Sequence, residues 1–306
     1  MIRDNFSGEI EKTIEQLSDS ESYKFVFHDP RYGEQMPSTE TLREIVDLLR
    51  EILFPGYFGN SSLRPETIRY YIGVNIDKVF TLLSEQIRRG LIIAYRKNED
   101  FTYEKTRQKA LEITTAFISK LPDIRRLLTT DVKAAYLGDP ASKSYGEVIY
   151  CYPTIRVMTN HRIAHELLKL GLPLIPRIIS EMAHSETGID IHPGAQIDEY
   201  FTTDHGTGVV IGETCVIGKN VKIYQGVTLG AKSFPLDEKG NPIKGIPRHP
   251  VVGDNVIIYA QATILGRVTI GNNSVIGGNV WVTHDVPPDS KILQQRADKD
   301  QHSDSV

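Results

Sequence analysis

The sequence is poor in cysteine, carries no excess of positive charge and contains no long hydrophobic run. Its 306 residues include two cysteines, Cys151 and Cys215, which excludes a disulfide framework; we expect both to be buried thiols in a reducing cytoplasm. The net charge of -4 gives nucleic acid no electrostatic attraction, so no nucleic-acid partner is predicted. Residues 1–17 are charged throughout, which predicts neither a signal peptide nor a membrane span.

Apolar residues recur at helical spacing through the first part of the chain, which we predict to be an all-helical N-terminal domain, 1–185. Four helices are expected at 41–53, from 65 through 83, at 103–121 and at 124–137, with a further helical region between 139 and 188. Their apolar stripes should pack against one another, so no chemistry is predicted there.

A six-residue repeat replaces the helical spacing after Ile191. Aliphatic residues occupy every sixth position in two series: Ile211, Ile217, Ile223 and Leu229, then Val252, Ile258, Ile264, Ile270, Ile276 and Val282. No Asn-Gly or Asp-Gly pair marks the reversals that an antiparallel sheet needs, which favours a solenoid. Three hexamers then form one triangular coil of about 18 residues, and the coils stack at roughly 4.8 Å with the aliphatic residues inside.

The predicted fold class is therefore α+β, an N-terminal all-helical domain followed by a parallel β-helix of hexapeptide repeats. We place the β-helix at residues 186–289. The last segment, 290–306, is polar, and we expect it to be disordered. The period itself does not determine the handedness of the helix.

Two interruptions spoil the repeat, and function in a solenoid tends to occur at such places. The first separates Ile197 from Ile211 by 14 residues where 12 would keep the phase, and it contains His205. The second ejects a loop that includes residues 232–247 and ends in Arg248 and His249.

Counting hexamers places the residues of the two interruptions at two corners of the triangle. Asp190 and His205 should share one corner, one coil apart, which would put a carboxylate within reach of an imidazole and orient a general base. Arg248 and His249 fall at a different corner. Since a single prism would hold these two corners apart, we expect an active site between subunits, where one chain's corner meets another's.

Three segments resemble the serine O-acetyltransferases, a family of hexapeptide-repeat acyltransferases. They are Asp-Ile-His-Pro-Gly-Ala from Asp190, Asp-His-Gly-Thr-Gly-Val-Val-Ile-Gly-Glu-Thr from Asp204 and Arg-His-Pro from Arg248; Asp139-Pro140-Ala141 and residues 160–165 also match. The resemblance covers residues 139–288. It implies a left-handed β-helix and transfer of the acetyl group of acetyl-CoA to the hydroxyl of L-serine, giving O-acetylserine and CoA in cysteine biosynthesis.

The resemblance also implies a role for each matched residue. His205 would take the proton from the serine hydroxyl, and Asp190 would hold the imidazole tautomer. The hydroxyl would attack the thioester directly, without a protein nucleophile. The amino acid would be bound by Asp139 and Asp204 at its ammonium group and by Arg248 and His249 at its carboxylate.

Acetyl-CoA would be a co-substrate rather than a tightly bound cofactor, and no metal is predicted. Its contacts would be backbone amides at four small residues: Gly230, Ala231, Ala260 and Gly278. The resemblance implies a homotrimer and leaves open whether two trimers join through the helical domain. Many relatives end in isoleucine, which docks into O-acetylserine sulfhydrylase; this chain ends in Val306, so we do not expect that complex.

Other interpretations remain open at this point. A sugar hydroxyl could be the acceptor for the same histidine base, in which case Asp139 and Arg248 would not be needed. Homoserine could also be the acceptor, because it differs from serine by one methylene group and pocket depth decides between the two. A β-helical zinc carbonic anhydrase could use His192, His205 and His249, although the β-helix lacks a His-x₄-His pair. A purely structural solenoid would not explain why the charged residues and histidines cluster at the two interruptions.

Overall fold

A computed structural model describes residues 7–28, 35–95 and 102–294. The chain divides into two compact units, Met1–Met36 and Pro37–Val306. The first unit contains helices α1 (Ser7–Ser18) and α2 (Ser20–Tyr23), neither of which has a buried residue.

The second unit begins with seven α-helices within its described residues, and they confirm the predicted helical region. They are α3 (Thr39–Leu53), α4 (Ile68–Ala94), α5 (Tyr103–Ser119), α6 (Leu121–Gly138), α7 (Tyr145–Cys151), α8 (Pro153–Lys169) and α9 (Ile175–Thr187). Local sequence explains their ends: Ser38 caps α3 by accepting a hydrogen bond from the Thr41 amide at 3.2 Å. Proline occupies the first turn of α6 and α8, where its missing N–H costs nothing.

A buried ion pair joins the helices to the first coil of the β-helix. Arg162 on α8 donates to both carboxylate oxygens of Asp131 on α6, at 2.7 and 2.8 Å. The same guanidinium donates to the carbonyls of Ile197 and Asp198, at 3.2 and 3.0 Å. Both side chains are almost fully buried, so each charge depends on the other. This pair fixes α6 and α8 against the coil that carries the first interruption.

Residues 190–294 wind into three parallel sheets. Its strands are β1 (Asp190–Ile191), β2 (Gln196–Ile197), β3 (Thr202–Asp204), β4 (Val210–Ile211), β5 (Val216–Ile217), β6 (Lys222–Tyr224), β7 (Thr228–Gly230), β8 (Val251–Val252), β9 (Ile257–Ile258), β10 (Thr263–Leu265), β11 (Thr269–Ile270), β12 (Val275–Ile276), β13 (Trp281–Val282) and β14 (Lys291–Ile292). Face one is β1-β4-β7-β10-β13, face two is β2-β5-β8-β11 and face three is β3-β6-β9-β12-β14. Up to β13 every third strand therefore pairs, as a triangular coil requires. The strand β14 pairs with β12, because the last turn has only an isolated bridge between Ile270 and Val286 on face two.

The repeat residues fill the interior as predicted. Ile211, Leu229 and Ile264 are in register across face one and are buried. The last strand, β14, lies in the segment 290–306 that we expected to be disordered; the part of that segment from 295 to 306 lies outside the described residues. The predicted boundary between 185 and 186 falls inside the second compact unit, two residues before α9 ends. The three predicted domains stay predictions.

The coils turn at three edges of the prism, named here by their residues. The His205 edge joins face three to face one, the Arg248 edge joins face one to face two, and the asparagine edge joins face two to face three. The asparagine edge carries Asn220, Asn255, Asn273 and Asp289, all with positive φ. Their side chains form a ladder of hydrogen bonds of 2.9, 3.0 and 2.9 Å from one coil to the next.

Candidate active site

The first interruption forms a bulge at the His205 edge. His205 has a φ of 59° and its side chain is 73% exposed. Gly206 has a positive φ, and a Cβ there would lie 2.5 Å from Ile189 Cδ1, so a larger residue does not fit. The Gly208 amide donates to the Gly188 carbonyl at 2.8 Å, which ties the bulge to the coil below. The imidazole is thus held on a fixed backbone and points away from the core.

The structure confirms the corner that Asp190 and His205 share but not the contact predicted between their side chains. The bond between Gly208 and Gly188 shows the shared corner. Within the described residues, however, His205 makes no ion pair with Asp190; its Nδ1 lies 3.8 Å from Asp204 Oδ1 instead. Asp190 faces α9, where Glu181 and His184 have ligand atoms within 4.8 Å of its carboxylate. The outward bulge explains the difference, because it turns the imidazole away from the core.

Asp139 lies close to His205 at the end of α6. Its Oδ2 accepts a hydrogen bond from the Tyr152 hydroxyl at 2.6 Å, and its Oδ1 accepts one from the Ala141 amide at 2.8 Å. The bond from Tyr152, and then that from Ala141, lowers the pKa of Asp139. The same Asp139–Tyr152 bond raises the pKa of Tyr152 to about 12. Asp139 is therefore an oriented carboxylate beside a neutral tyrosine, a role for Tyr152 that the sequence did not indicate.

Asp204 is paired with a lysine that the sequence did not single out. Lys222 Nζ lies 2.8 Å from Asp204 Oδ2 and donates to the Gly138 carbonyl at 2.7 Å. Burial opposes the charge on Lys222, but the Asp204 carboxylate and Tyr224 outweigh it, so the pKa of Lys222 is raised. The sequence carries one signal, the spacing of one coil from Thr202 to Lys222. The structure places these two residues in register on face three, which puts Lys222 on the strand beside that of Asp204.

These groups line one cavity of about 330 Å³. Asp139, Tyr152, Asp204, His205 and Lys222 all contribute to its wall. The cavity is large enough for a small amino acid. It offers carboxylates, a lysine ammonium and an imidazole, which suits a polar ligand with a cationic group.

The expectation of two buried thiols is wrong for Cys151, which is exposed where α7 ends and also lines this cavity. Cys215 is buried as expected. Burial raises the pKa of Cys215 to about 12, so its thiol is protonated and unreactive at neutral pH.

Arg248 and His249 are fixed at the Arg248 edge by the coil before them. Thr214 Oγ1 accepts hydrogen bonds from the amides of Arg248 and His249, at 2.9 and 3.1 Å. Arg248 Nη2 donates to Glu213 Oε2 at 2.6 Å, which holds the guanidinium beside this edge. Arg267 Nη1 donates to the His249 carbonyl at 3.0 Å and braces the same segment from the following coil.

His249 is a buried, neutral imidazole. Burial, and then the charge of Arg248, lowers its pKa to about 4. Its Nδ1 accepts a hydrogen bond from the Thr214 amide at 3.1 Å, so the neutral ring carries its proton on Nε2. A Cβ on Gly212 would lie 2.0 Å from His249 Cδ2, which means that the ring occupies the space that this glycine leaves.

The four small residues predicted for CoA fall into two pairs. Ala260 and Gly278 lie together on the His205 edge, where the Asn279 amide donates to the Ala260 carbonyl at 3.0 Å. Gly230 and Ala231 lie on the Arg248 edge, at the end of β7. The structure likewise brings His205 together with Asp139 and Asp204, and Arg248 together with His249. Each edge therefore carries half of the predicted site, with face one between them.

A second and larger cavity, of about 800 Å³, lies between α6, α8 and face two. None of the predicted site residues lines it. His161 and His165 do line it. His165 Nδ1 lies 2.8 Å from the Pro193 carbonyl, and burial lowers the pKa of His161.

No described helix combines the length and apolar character that a membrane crossing requires.

Two family models match the β-helix. The one described as bacterial transferase hexapeptide (six repeats) matches residues 249–284. The one described as hexapeptide repeat of succinyl-transferase matches residues 208–234.

Curated relatives extend the similarity over most of the chain. A plasmid serine acetyltransferase of Synechococcus elongatus is 56% identical over 267 residues, which cover 87% of this chain and 84% of the relative. A serine acetyltransferase of Bacillus subtilis is 45% identical over 168 residues, which cover 55% of this chain and 73% of the relative.

Solved structures show the same similarity. Entamoeba histolytica serine acetyltransferase 1, in complex with L-cysteine, has a TM-score of 0.70 at 37% identity, covering 85% of this chain and 87% of that one. Neisseria gonorrhoeae serine acetyltransferase, in complex with serine, has a TM-score of 0.54 at 27% identity, covering 83% of this chain and 97% of that one.

Proposed function

The chain belongs to the serine acetyltransferase family, and it is a left-handed β-helix enzyme that acetylates the hydroxyl of serine as a step of cysteine biosynthesis. We propose that acetyl-CoA is the donor and that the residues of the two edges bordering face one perform the transfer. The observation that carries this proposal is the cavity in which Asp139, Asp204 and His205 converge.

In the proposed reaction His205 is the general base. A serine hydroxyl is far too weak an acid to ionise at neutral pH, so its proton must be taken as the oxygen attacks. The oxygen bonds to the thioester carbon, the carbon–sulfur bond breaks, and the CoA sulfur leaves as the thiol with the proton that the imidazole accepted. Asp204, whose Oδ1 lies 3.8 Å from Nδ1, stabilises the imidazolium. Asp190 would join it only after the imidazole turns inward toward the corner that the two residues share. Cys215 takes no part, because its thiol is protonated.

The charges of the site match an amino acid. Asp139 and Asp204 supply the negative charge around the ammonium group; Asp204 shares its charge with Lys222, so Asp139 makes the direct contact. At the Arg248 edge, Arg248 supplies a cation for the carboxylate, and the Nε2–H of His249 supplies a neutral donor beside it.

We further propose that the two halves meet between subunits of a homotrimer. Within one chain they lie on different edges, and face one separates them. In a cyclic trimer the His205 edge of one chain would meet the Arg248 edge of the next, and the two pairs of small residues proposed for CoA would border the same groove.

The free cysteines, one of them exposed, support a cytoplasmic location.

Co-expression of two inactive variants tests this proposal. We would express differently tagged His205→Asn and His249→Ala chains together, purify hetero-oligomers by both tags and measure release of CoA with L-serine. A site shared between neighbours predicts that about one site in three is intact in each mixed trimer, so activity returns to about a third of that of the parent. Mixed trimers no more active than either variant alone would overturn the shared site. A parent that releases no CoA with serine would overturn the donor and acceptor together.

A further inference from the structure

Lys222 lines the proposed serine cavity and makes three close contacts there. Its side chain is 17% exposed, and Nζ contacts Asp204 Oδ2 at 2.8 Å and the Gly138 carbonyl at 2.7 Å. Nζ also lies 4.6 Å from the centre of the Tyr224 ring, which is stacked on Tyr259. A carboxylate, a carbonyl and a ring face are the surroundings that an ammonium group prefers.

The two carboxylates of the cavity, Asp139 and Asp204, differ in whether a positive charge is paired with them. Asp204 is already paired with an internal ammonium group. Asp139 accepts hydrogen bonds from a hydroxyl and an amide, both neutral, and among the described residues it makes no ion pair. A second ammonium group entering the cavity therefore finds its unbalanced partner at Asp139.

Lys222 also anchors Asp139. Gly138 is the last residue of α6, and carbonyls at a helix C-terminus carry partial negative charge without a partner in the helix. Lys222 bonds to this carbonyl from β6, one residue before Asp139. A single ammonium group thus fixes the position of Asp139 relative to Asp204.

We propose that Lys222 is a positioning residue that occupies Asp204 and directs the serine ammonium group to Asp139. This inference rests on the proposed function, since it assumes that serine binds in this cavity. Without Lys222, Asp204 would compete for the ammonium group. Serine would then bind more tightly but in two positions, only one of which presents its hydroxyl to His205.

The test uses substitutions that separate charge from anchoring. Lys222→Met removes both, Lys222→Gln keeps a donor for the Gly138 carbonyl without the charge, and Lys222→Arg keeps the charge. Lys219→Met is the matched control, because Lys219 is an exposed lysine on the same coil, paired with Glu199. For each variant we would measure kcat by CoA release, serine affinity by titration calorimetry and the thermal unfolding midpoint.

We expect Lys222→Met and Lys222→Gln to lower kcat about tenfold and to bind serine about threefold to fivefold more tightly. Lys222→Arg and Lys219→Met should stay within about twofold of the parent in both measurements. A merely structural role would lower kcat and weaken serine binding together.

Weaker serine binding in Lys222→Gln, or parent-like kinetics in that variant, would overturn the inference. If Lys222→Met does not fold, Lys222→Gln and Lys222→Arg still distinguish a positioning role from a merely structural one. If the parent does not acetylate serine, the proposed function is wrong. If the parent is active and the Lys222 variants keep its kcat and serine affinity, only this inference is wrong.

Discussion

The asparagine edge and the His205 edge place non-glycine residues in the same unusual backbone conformation but use it differently. Asn220 and His205 have φ values of 56° and 59°. On the asparagine edge each side chain forms a hydrogen bond to the next coil, so the side-chain amides of this edge are hydrogen-bonded to one another. On the His205 edge the imidazole is 73% exposed and its nearest acidic partner is 3.8 Å away. The same backbone conformation thus contributes to stability on the asparagine edge and leaves a reactive group available on the His205 edge.

The difference has an energetic side. Asparagine tolerates positive φ better than histidine, because its short amide can bond to nearby backbone. At the His205 edge the conformation is held by the surrounding glycines and by the bond between Gly208 and Gly188. A strained residue that its neighbours hold in place is typical of a functional site.

The largest predicted effect comes from making the two edges alike. His205→Asn keeps a residue that accepts positive φ but removes the base, so we expect kcat to fall by about 10² to 10⁴ while the thermal unfolding midpoint stays the same or rises. CoA release and thermal unfolding measure the two effects. Asn220→His is the reciprocal control, and it should lower stability, since it breaks the bond to Asn255, without lowering kcat. A His205→Asn enzyme with more than a tenth of the parent's kcat would contradict the base role.

The second-largest effect is expected from alanine substitution of two glycines, one at the Arg248 edge and one at the asparagine edge. A Cβ on Gly212 would lie 2.0 Å from His249 Cδ2, and one on Gly218 would lie 2.4 Å from Asp254 Oδ1 on the asparagine edge. Both alanine substitutions should cost about 1–3 kcal/mol of stability through overpacking. Only Gly212→Ala displaces His249, so only it should lower kcat/KM for serine, by about 10- to 100-fold. Equal losses of kcat/KM in the two variants would show that His249 is not the cause.

Much of the β-helix could be predicted because a strand has a fixed period. The hexamer determined which residues point inward, and the two extra residues between Ile197 and Ile211 located the bulge. Counting coils therefore gave the corner that Asp190 and His205 share. It did not give the direction of the imidazole, which depends on the backbone angles of the bulge itself.

Contacts between distant segments could not be predicted in the same way. Lys222 meets Gly138 across 84 residues of sequence, and that contact depends on where α6 ends against face three. The bond between Tyr152 and Asp139 depends on how α7 packs on α6, which no repeat specifies. Cys151 looked like a core thiol from composition alone, yet it lies at the exposed end of α7.

The smallest predicted effect tests whether the asparagine edge is purely structural. Asn255 has a φ of 58° and bonds to the side chains of both Asn220 and Asn273. Asn255→Ala loses both exposed bonds and strains the backbone, so we expect a loss of about 2 kcal/mol in urea unfolding. Asn255→Gly loses the bonds but relieves the strain, so its loss should be about 1 kcal/mol. Neither should change kcat, because none of the hydrogen bonds that the described residues make to Asn255 involves a residue lining the cavity. A fall in kcat for Asn255→Gly would mean that the two edges are coupled through the coil.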